Sequence, residues 1–485
     1  MRIAVRVALC VGVVCATGAP RSVCGADAWT EVRSPNFRVV TNGSARDARE
    51  VASSFERLGA VLRKTSQIRT RADVPLTILA VKQGRQLGAI VGSDREDLVG
   101  IFAPGHDANV VIIRLDLDHD TRYQVAYHEY LHLLVHQTMG ALPLWLNEGL
   151  AEFYSHARLE TEKILLGMPA PYHLAALQEN APLPLQTLLS VEHESKYYNE
   201  SDRATIFYAQ SWALTHFLML GEGGAHRPKL VALLQASEQG ATPADAARRA
   251  FGDVPAFERQ FRAYISRFAF PALQDTVPMD GAAKSMQARV LPSAEALAVQ
   301  STVTAVAGTA EAAATLASQA VAADGTAPEA WVAKARAARR AGDAAAAEAA
   351  LGKAISLGSS DPLAHFGWAE LRLQIVPADH PLDDIAAALE RSLVLKPDLA
   401  RALSLLGYVK ARQDAKDARA FELTKQAVLL EPGNARHFLA MAAVMYARGD
   451  HAAVDAALQR AAQVADGDEE RQRVDDARQQ LRPRP

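Results

Sequence analysis

Cysteine is almost missing from this sequence. The three that occur, Cys10, Cys15 and Cys24, all lie near the N-terminus of a 485-residue chain. Once that segment is removed no thiol remains, which excludes a disulfide framework and thiolate metal ligands from the rest. A metal site there has to be built from imidazole and carboxylate. An excess of one charge sign is missing too: 52 basic and 55 acidic residues give a formal net charge of -3. That balance offers no electrostatic case for nucleic acid or for an anionic membrane surface. Long apolar runs are also scarce. The run from Val7 to Ala16 falls short of the roughly 20 residues a membrane span needs. With Arg2 and Arg6 before it and small residues after it, it has the layout of a secretory signal, cleaved between about Ala19 and Ala28. The expected location is secreted or periplasmic, with no transmembrane segment in the mature chain. Cleavage after Ala28 would remove three arginines and one aspartate and leave a formal charge of -5.

What is present is apolar residues, 49% of the total, enough for two or three globular units with sizeable cores. "NFRVVTN" (Asn36 to Asn42) and "VPLTILAV" (Val74 to Val81) are β-branched runs beside turn residues, and the segment between them has helical periodicity. "GIFAPGHDANVVIIRLD" (Gly100 to Asp116) reads as a turn and a further strand, so a small α/β layer is expected here. Helical segments follow, among them "FYAQSWALTHFLML" and "FERQFRAYISRF". From Phe270 to Pro292 the periodicity stops and Pro, Gly and small polar residues gather, which is linker composition.

Beyond this stretch the chain is alanine-rich and helical. Pro328, Pro362, Pro397 and Pro432 recur at intervals of 34, 35 and 35 residues, with small residues where helices would cross. This pattern resembles tetratricopeptide repeats, four or five of them counting a degenerate unit from Pro292. The resemblance implies an all-α solenoid with a groove for a protein partner.

The chemistry-bearing stretch is "AYHEYLHLLVHQTMGALPLWLNEGLAEFY", Ala126 to Tyr154. On one helix His128 and His132 lie a turn apart, about 6 Å along the axis, and project from the same face. Both imidazoles can reach one ion. Glu129 sits about 100° round the helix, placed to take a proton from a water on that ion. A catalytic zinc needs a third protein ligand and an open fourth position. The sequence then supplies Gly140 to stop the first helix, Pro143 to start a second, and Glu148 on it, 16 residues after His132. Glu152, one turn on, can face the same way and orient a ligand imidazole. His136 extends the histidine stripe but lies about 12 Å along the axis from His128, too far to share its ion.

These residues resemble the gluzincin metallopeptidases, and most closely peptidase MA-like domains, where HExxH is followed by a helix bearing "WLxEGLAE". The matching positions are His128, Glu129 and His132, then Trp145, Leu146, Glu148, Gly149, Leu150, Ala151 and Glu152. The resemblance implies His128, His132 and Glu148 as ligands of one Zn2+ per chain and Glu129 as general base. It also implies an oxyanion donor from a downstream tyrosine, for which Tyr208 is the candidate, with His216 a weaker one on the same helix. Substrate is expected along an edge strand, with "NVVII" (Asn109 to Ile113) as its candidate.

The expected organisation is a signal peptide at 1–28 and an α+β gluzincin-like metallopeptidase domain at 29–270. A linker at 271–292, a tetratricopeptide array at 293–468 and a tail at 469–485 follow. The expected function is zinc-dependent hydrolysis of a protein or peptide substrate, with the array recruiting a protein partner or the substrate. Two alternatives stay open: a zinc-binding assembly scaffold acting through its repeats, and a zinc hydrolase of non-peptide amides or esters.

Overall fold

The computed structural model describes residues 28–481, except 67, 69–73, 75, 93–97, 140–141, 160–162, 268, 277–285, 378 and 466. The expected signal segment lies, but for its last residue, outside the described residues, as does Gly140. Among the described residues no helix is long and apolar enough to cross a membrane. The strands are β1 (Thr30–Arg33), β2 (Phe37–Thr41), β3 (Leu76–Val81), β4 (Gly100–Ala103), β5 (Asn109–Arg114), β6 (Arg158–Leu159), β7 (Lys163–Leu166), β8 (Leu273–Thr276) and β9 (Ala288–Val290). The chain divides into two compact units.

The first unit comprises residues 1–53, 74–117 and 283–359. Its sheet has six strands in the order β4, β5, β3, β2, β1, β9. Strands β2, β3 and β5 run parallel, and parallel neighbours need crossover connections. Helices Ala45–Thr65 after β2 and Gly84–Val91 after β3 lie in those connections. The continuous Val/Ile/Leu character of β3 is that of a strand covered on both faces, and all six of its residues are buried. The region read as a turn and one strand is a hairpin, β4 antiparallel to β5. Asn109–Arg114 is therefore an interior strand, and the edge belongs to β4, because the hairpin adds a partner that a single strand would lack.

The expected linker at 271–292 contains both β8 and β9. β9 pairs with β1, and Glu31 on β1 binds Arg38 of β2 and Arg289 of β9, each at 2.6 Å. Burial would raise the Glu31 carboxyl, but the guanidiniums of Arg38, Arg33 and Arg289 hold it down at about 2. Next, helix Ser293–Ala307 lays Ala296, Val299 and Val303 on Val40, Leu79, Val110 and Ile112 of the sheet. The turn between β4 and β5 is tied to helix Pro328–Arg340 through Asp107 and Arg339, 3.3 Å apart. The first two helix pairs are thus part of the sheet's own unit.

The second unit comprises residues 54–73, 118–282 and 360–485. Here helix Leu144–Ser155 packs between His119–Met139 and Ser201–Leu220. The last of these is the centre of the layer, with Trp212 and Phe217 almost fully buried. Strands β6, β7 and β8 form a small antiparallel sheet beside these helices.

The alanine-rich region folds as paired helices whose first members begin at Ser293, Pro328, Pro362, Ala400 and Ala435. First helices of successive pairs touch within each unit, as a solenoid requires. The steps are 35, 34, 38 and 35 residues, so the even proline spacing hides a longer third unit. Pro328 and Pro362 open a helix, whereas Pro397 and Pro432 stand three residues ahead of one. Side-chain caps from Thr309, Asp343, Asp361, Asp417, Asn434 and Asp450 satisfy the free amides at helix starts. The expected tail is helical too: Gly467–Gln480 packs on the last pair with Val474 buried.

Candidate metal centre

The helix His119–Met139 puts the His128 and His132 rings edge to face, 4.7 Å apart, with their Nε2 atoms at 3.0 Å. The return helix begins after Pro143, and Glu148 in its second turn is 3% exposed. Its Oε2 lies 3.4 Å from His128 Nε2 and 3.3 Å from His132 Nε2 and makes no hydrogen bond. Glu152, one turn later, meets His128 and not His132, so the two helices run antiparallel.

Three donor atoms separated by 3.0, 3.3 and 3.4 Å form a nearly equilateral triangle. Ligands about 2.0 Å from a tetrahedral zinc stand about 3.3 Å apart, so the residues present fit that ion. Burial opposes charge on every member. It would lower the His128 imidazole, but Glu148 and Glu152 override it and raise that group to about 9. His132 is raised in the same way, against its own burial, by Glu148. Glu148 is held far below the ordinary carboxylate value by the two imidazoles, again against burial. The site therefore favours positive charge at the centre of the triangle. Glu129 is pushed up by burial, with His128 and His132 pulling the other way. His136 is partly buried and outside the group of three.

Glu152 anchors a polar cluster on the far side of His128. Its Oε1 lies 3.3 Å from His128 Nδ1, while Oε2 takes His173 Nε2 at 2.9 Å and the Tyr172 hydroxyl at 3.5 Å. His156 Nδ1 bonds the Glu152 carbonyl at 2.9 Å, and Gln124 reaches both His156 Nε2 and the Tyr172 hydroxyl at 2.6 Å. With one nitrogen of His128 fixed by a carboxylate, the other is presented to the triangle.

Tyr208 sits on the long central helix, yet its hydroxyl meets that of Tyr198, and it is Tyr198 that reaches Glu148 Oε1, at 3.2 Å. His216 has both ring nitrogens committed, Nδ1 to the Tyr264 hydroxyl at 2.7 Å and Nε2 to the Gly167 carbonyl at 2.9 Å. Burial drives it down to about 4, so it is a neutral core histidine. Sequence reasoning missed Tyr198, His173, His156, Tyr172 and Gln124. Their only signal was His156 one turn beyond Glu152.

Residues 59–267, less than half of the chain, match the family model of the Peptidase MA superfamily. No curated protein matches the chain. Among solved structures, similar ones include YrrB, described as a TPR protein with an unusual peptide-binding site. It is 14% identical, with 34% of this chain and 84% of that one covered and a TM-score of 0.29. PilF of Pseudomonas aeruginosa is 18% identical, covering 39% and 90%, with a TM-score of 0.31. TTC0263 of Thermus thermophilus is a thermophilic TPR protein, 21% identical over 38% and 97%, with a TM-score of 0.31. At these scores the repeat assignment rests on the helix pairs of this chain itself. The chain combines a region that matches the Peptidase MA superfamily and carries a His128, His132 and Glu148 donor triangle with an all-helical tetratricopeptide-like array.

Proposed function

We propose that this chain is an exported zinc-dependent peptidase. In this reading His128, His132 and Glu148 hold the ion, Glu129 is the general base, and the repeat array recruits a protein substrate or partner. The observation that carries it is the donor triangle with an unpartnered buried oxygen, Glu148 Oε2. When bound, zinc supplies a Lewis acid and a water whose pKa is about 7. Glu129 follows His128 on the helix and is partly buried, and burial raises its carboxyl above the ordinary value, which makes it a stronger proton acceptor. Glu152 fixes the ring of His128. Tyr208 brings a phenol group to the Glu148 side, where it can donate to a carbonyl oxygen that gains charge. Export rests on the basic, apolar and small-residue layout before Ala28.

The test is elemental analysis together with digestion of an unfolded protein. Zinc at about one per chain is expected, and Glu129→Gln should keep it while losing about 100-fold or more in cleavage rate. Full activity in that variant refutes the assigned base. Zinc without any cleavage refutes the peptidase reading; activity on small esters alone then favours a non-peptide hydrolase, and none at all a zinc-binding scaffold.

A further inference from the structure

Glu148 divides its two oxygens between different neighbours. Oε2 faces the histidine Nε2 atoms and takes no hydrogen bond, whereas Oε1 accepts the Tyr198 hydroxyl at 3.2 Å. Tyr198 lies on the four-residue helix Lys196–Asn199, fifty residues downstream. That helix is locked locally. Ser195 Oγ accepts the Tyr197 amide, and Asn199 Nδ2 donates to the His193 and Ser195 carbonyls at 2.6 and 3.1 Å. The Tyr198 ring stands edge-on to Phe207 at 5.9 Å and to His193 at 5.4 Å, and rests 6.0 Å from the Tyr208 ring. Packing on three sides thus sets the direction of its phenol.

We propose that Tyr198 is a positioning residue for Glu148. By holding Oε1 it makes the carboxylate present a single oxygen to the metal position, with Tyr208 supporting Tyr198 from behind. The inference rests on the metal reading above. A carboxylate free to turn can give both oxygens to a divalent ion and fill the position that a catalytic site must keep open. Turning Glu148 that way would break a hydrogen bond to a charged acceptor and strand a partly buried phenol, both of which oppose it. The pair also gives Tyr208 a role one step behind Tyr198, which reaches Glu148 directly.

Cobalt(II) serves as the probe, because its visible absorption is intense when four-coordinate and weakens as a further ligand enters. The metal-depleted parent loaded with cobalt should absorb strongly. Tyr198→Phe, which keeps the ring and its packing, should weaken the band and lower cobalt affinity about 10-fold in competition with a chelator. Tyr208→Phe should shift both readouts in the same direction by less, and it carries the test if circular dichroism finds Tyr198→Phe unfolded. Parent-like absorption and affinity in the folded variants overturn the positioning role while the metal site stands. No cobalt uptake by the parent overturns both.

Discussion

His128 and His437 are both histidines beside a buried glutamate on a helix of the second unit, but their surroundings differ. His437, on helix Ala435–Ala447 of the fifth pair, pairs through Nε2 with Glu431 at 3.0 Å and through Nδ1 with Ser404 at 3.1 Å. Asn434 donates to the same Glu431 oxygen at 2.9 Å. No polar side-chain atom of that set is buried without a partner. At the helix pair His119–Met139 and Leu144–Ser155, Glu148 Oε2 and His132 Nδ1 are buried without a hydrogen-bond partner, and the two histidine Nε2 atoms have only each other. Glu148 Oε2 is left facing two imidazole nitrogens. Buried polar groups without partners are costly, so native structures keep them where a ligand completes them. The first arrangement staples two repeats together; the second has room for a cation.

The contrast breaks most sharply in metal titrations of alanine variants. Glu148→Ala should abolish tight zinc binding, since it removes one of three donors. Glu152→Ala should weaken binding by about 10- to 100-fold, as loss of an orienting partner does. His437→Ala should leave zinc affinity at the parent value while lowering the thermal midpoint. If Glu152→Ala lost the metal and Glu148→Ala kept it, the donor assignment would be wrong by one helical turn.

Both regions also use a glycine where two helices meet, and this sharpens the comparison at a smaller scale. A Cβ on Gly149 would collide with Thr215 Oγ1 and stand 2.5 Å from the Ser211 carbonyl. One on Gly407 would stand 2.7 Å from the Ala420 carbonyl and from Thr424 Cγ2. Since backbone cannot give way cheaply, each alanine substitution should cost about 1–3 kcal/mol of overpacking, offset in part by about 1 kcal/mol of helix propensity. Gly149→Ala should in addition reduce zinc affinity, because Glu148 is its neighbour, whereas Gly407→Ala should not. Unfolding curves and metal competition on the two variants check this. Equal zinc affinity in both would show that the Leu144–Ser155 helix can shift without moving its ligand.

How much of this was legible in the sequence follows from how local each feature is. His128, Glu129 and His132 are placed by one helix's periodicity, and Glu148 by a short antiparallel return, so four residues could be brought together without tertiary knowledge. Tyr198 could not. It sits on a single turn of helix in the polar stretch "VEHESKYYNE", and nothing local distinguishes it from Tyr197. Strands β8 and β9 were illegible for a related reason: four and three residues long, they are held by partners more than a hundred residues away. The repeat period was legible because alanine and proline recur. The longer third unit was masked because its extra residues fall in the loop after Ile375, where no periodic signal exists.

The smallest expected effect concerns pH. Burial would raise the Glu431 carboxyl, but His437, Asn434 and Arg401 more than offset it and hold the group below its ordinary value. A carboxyl with a lower pKa folded than unfolded binds fewer protons in the folded state. It therefore adds stability that is fully present above the unfolded value, about 4.3, and fades as the pH falls through the folded one. Glu31 has the same sign, so the total acid dependence of the chain cannot isolate Glu431. The difference between parent and Glu431→Gln can: it should be largest near pH 6 and shrink steadily toward pH 3, in thermal unfolding followed by circular dichroism. Chelator should leave that difference unchanged, because both nitrogens of His437 are already taken by Glu431 and Ser404. A gap between parent and variant that stayed constant with pH would mean that shape and hydrogen bonding, rather than the charge on Glu431, hold the fourth and fifth repeats together.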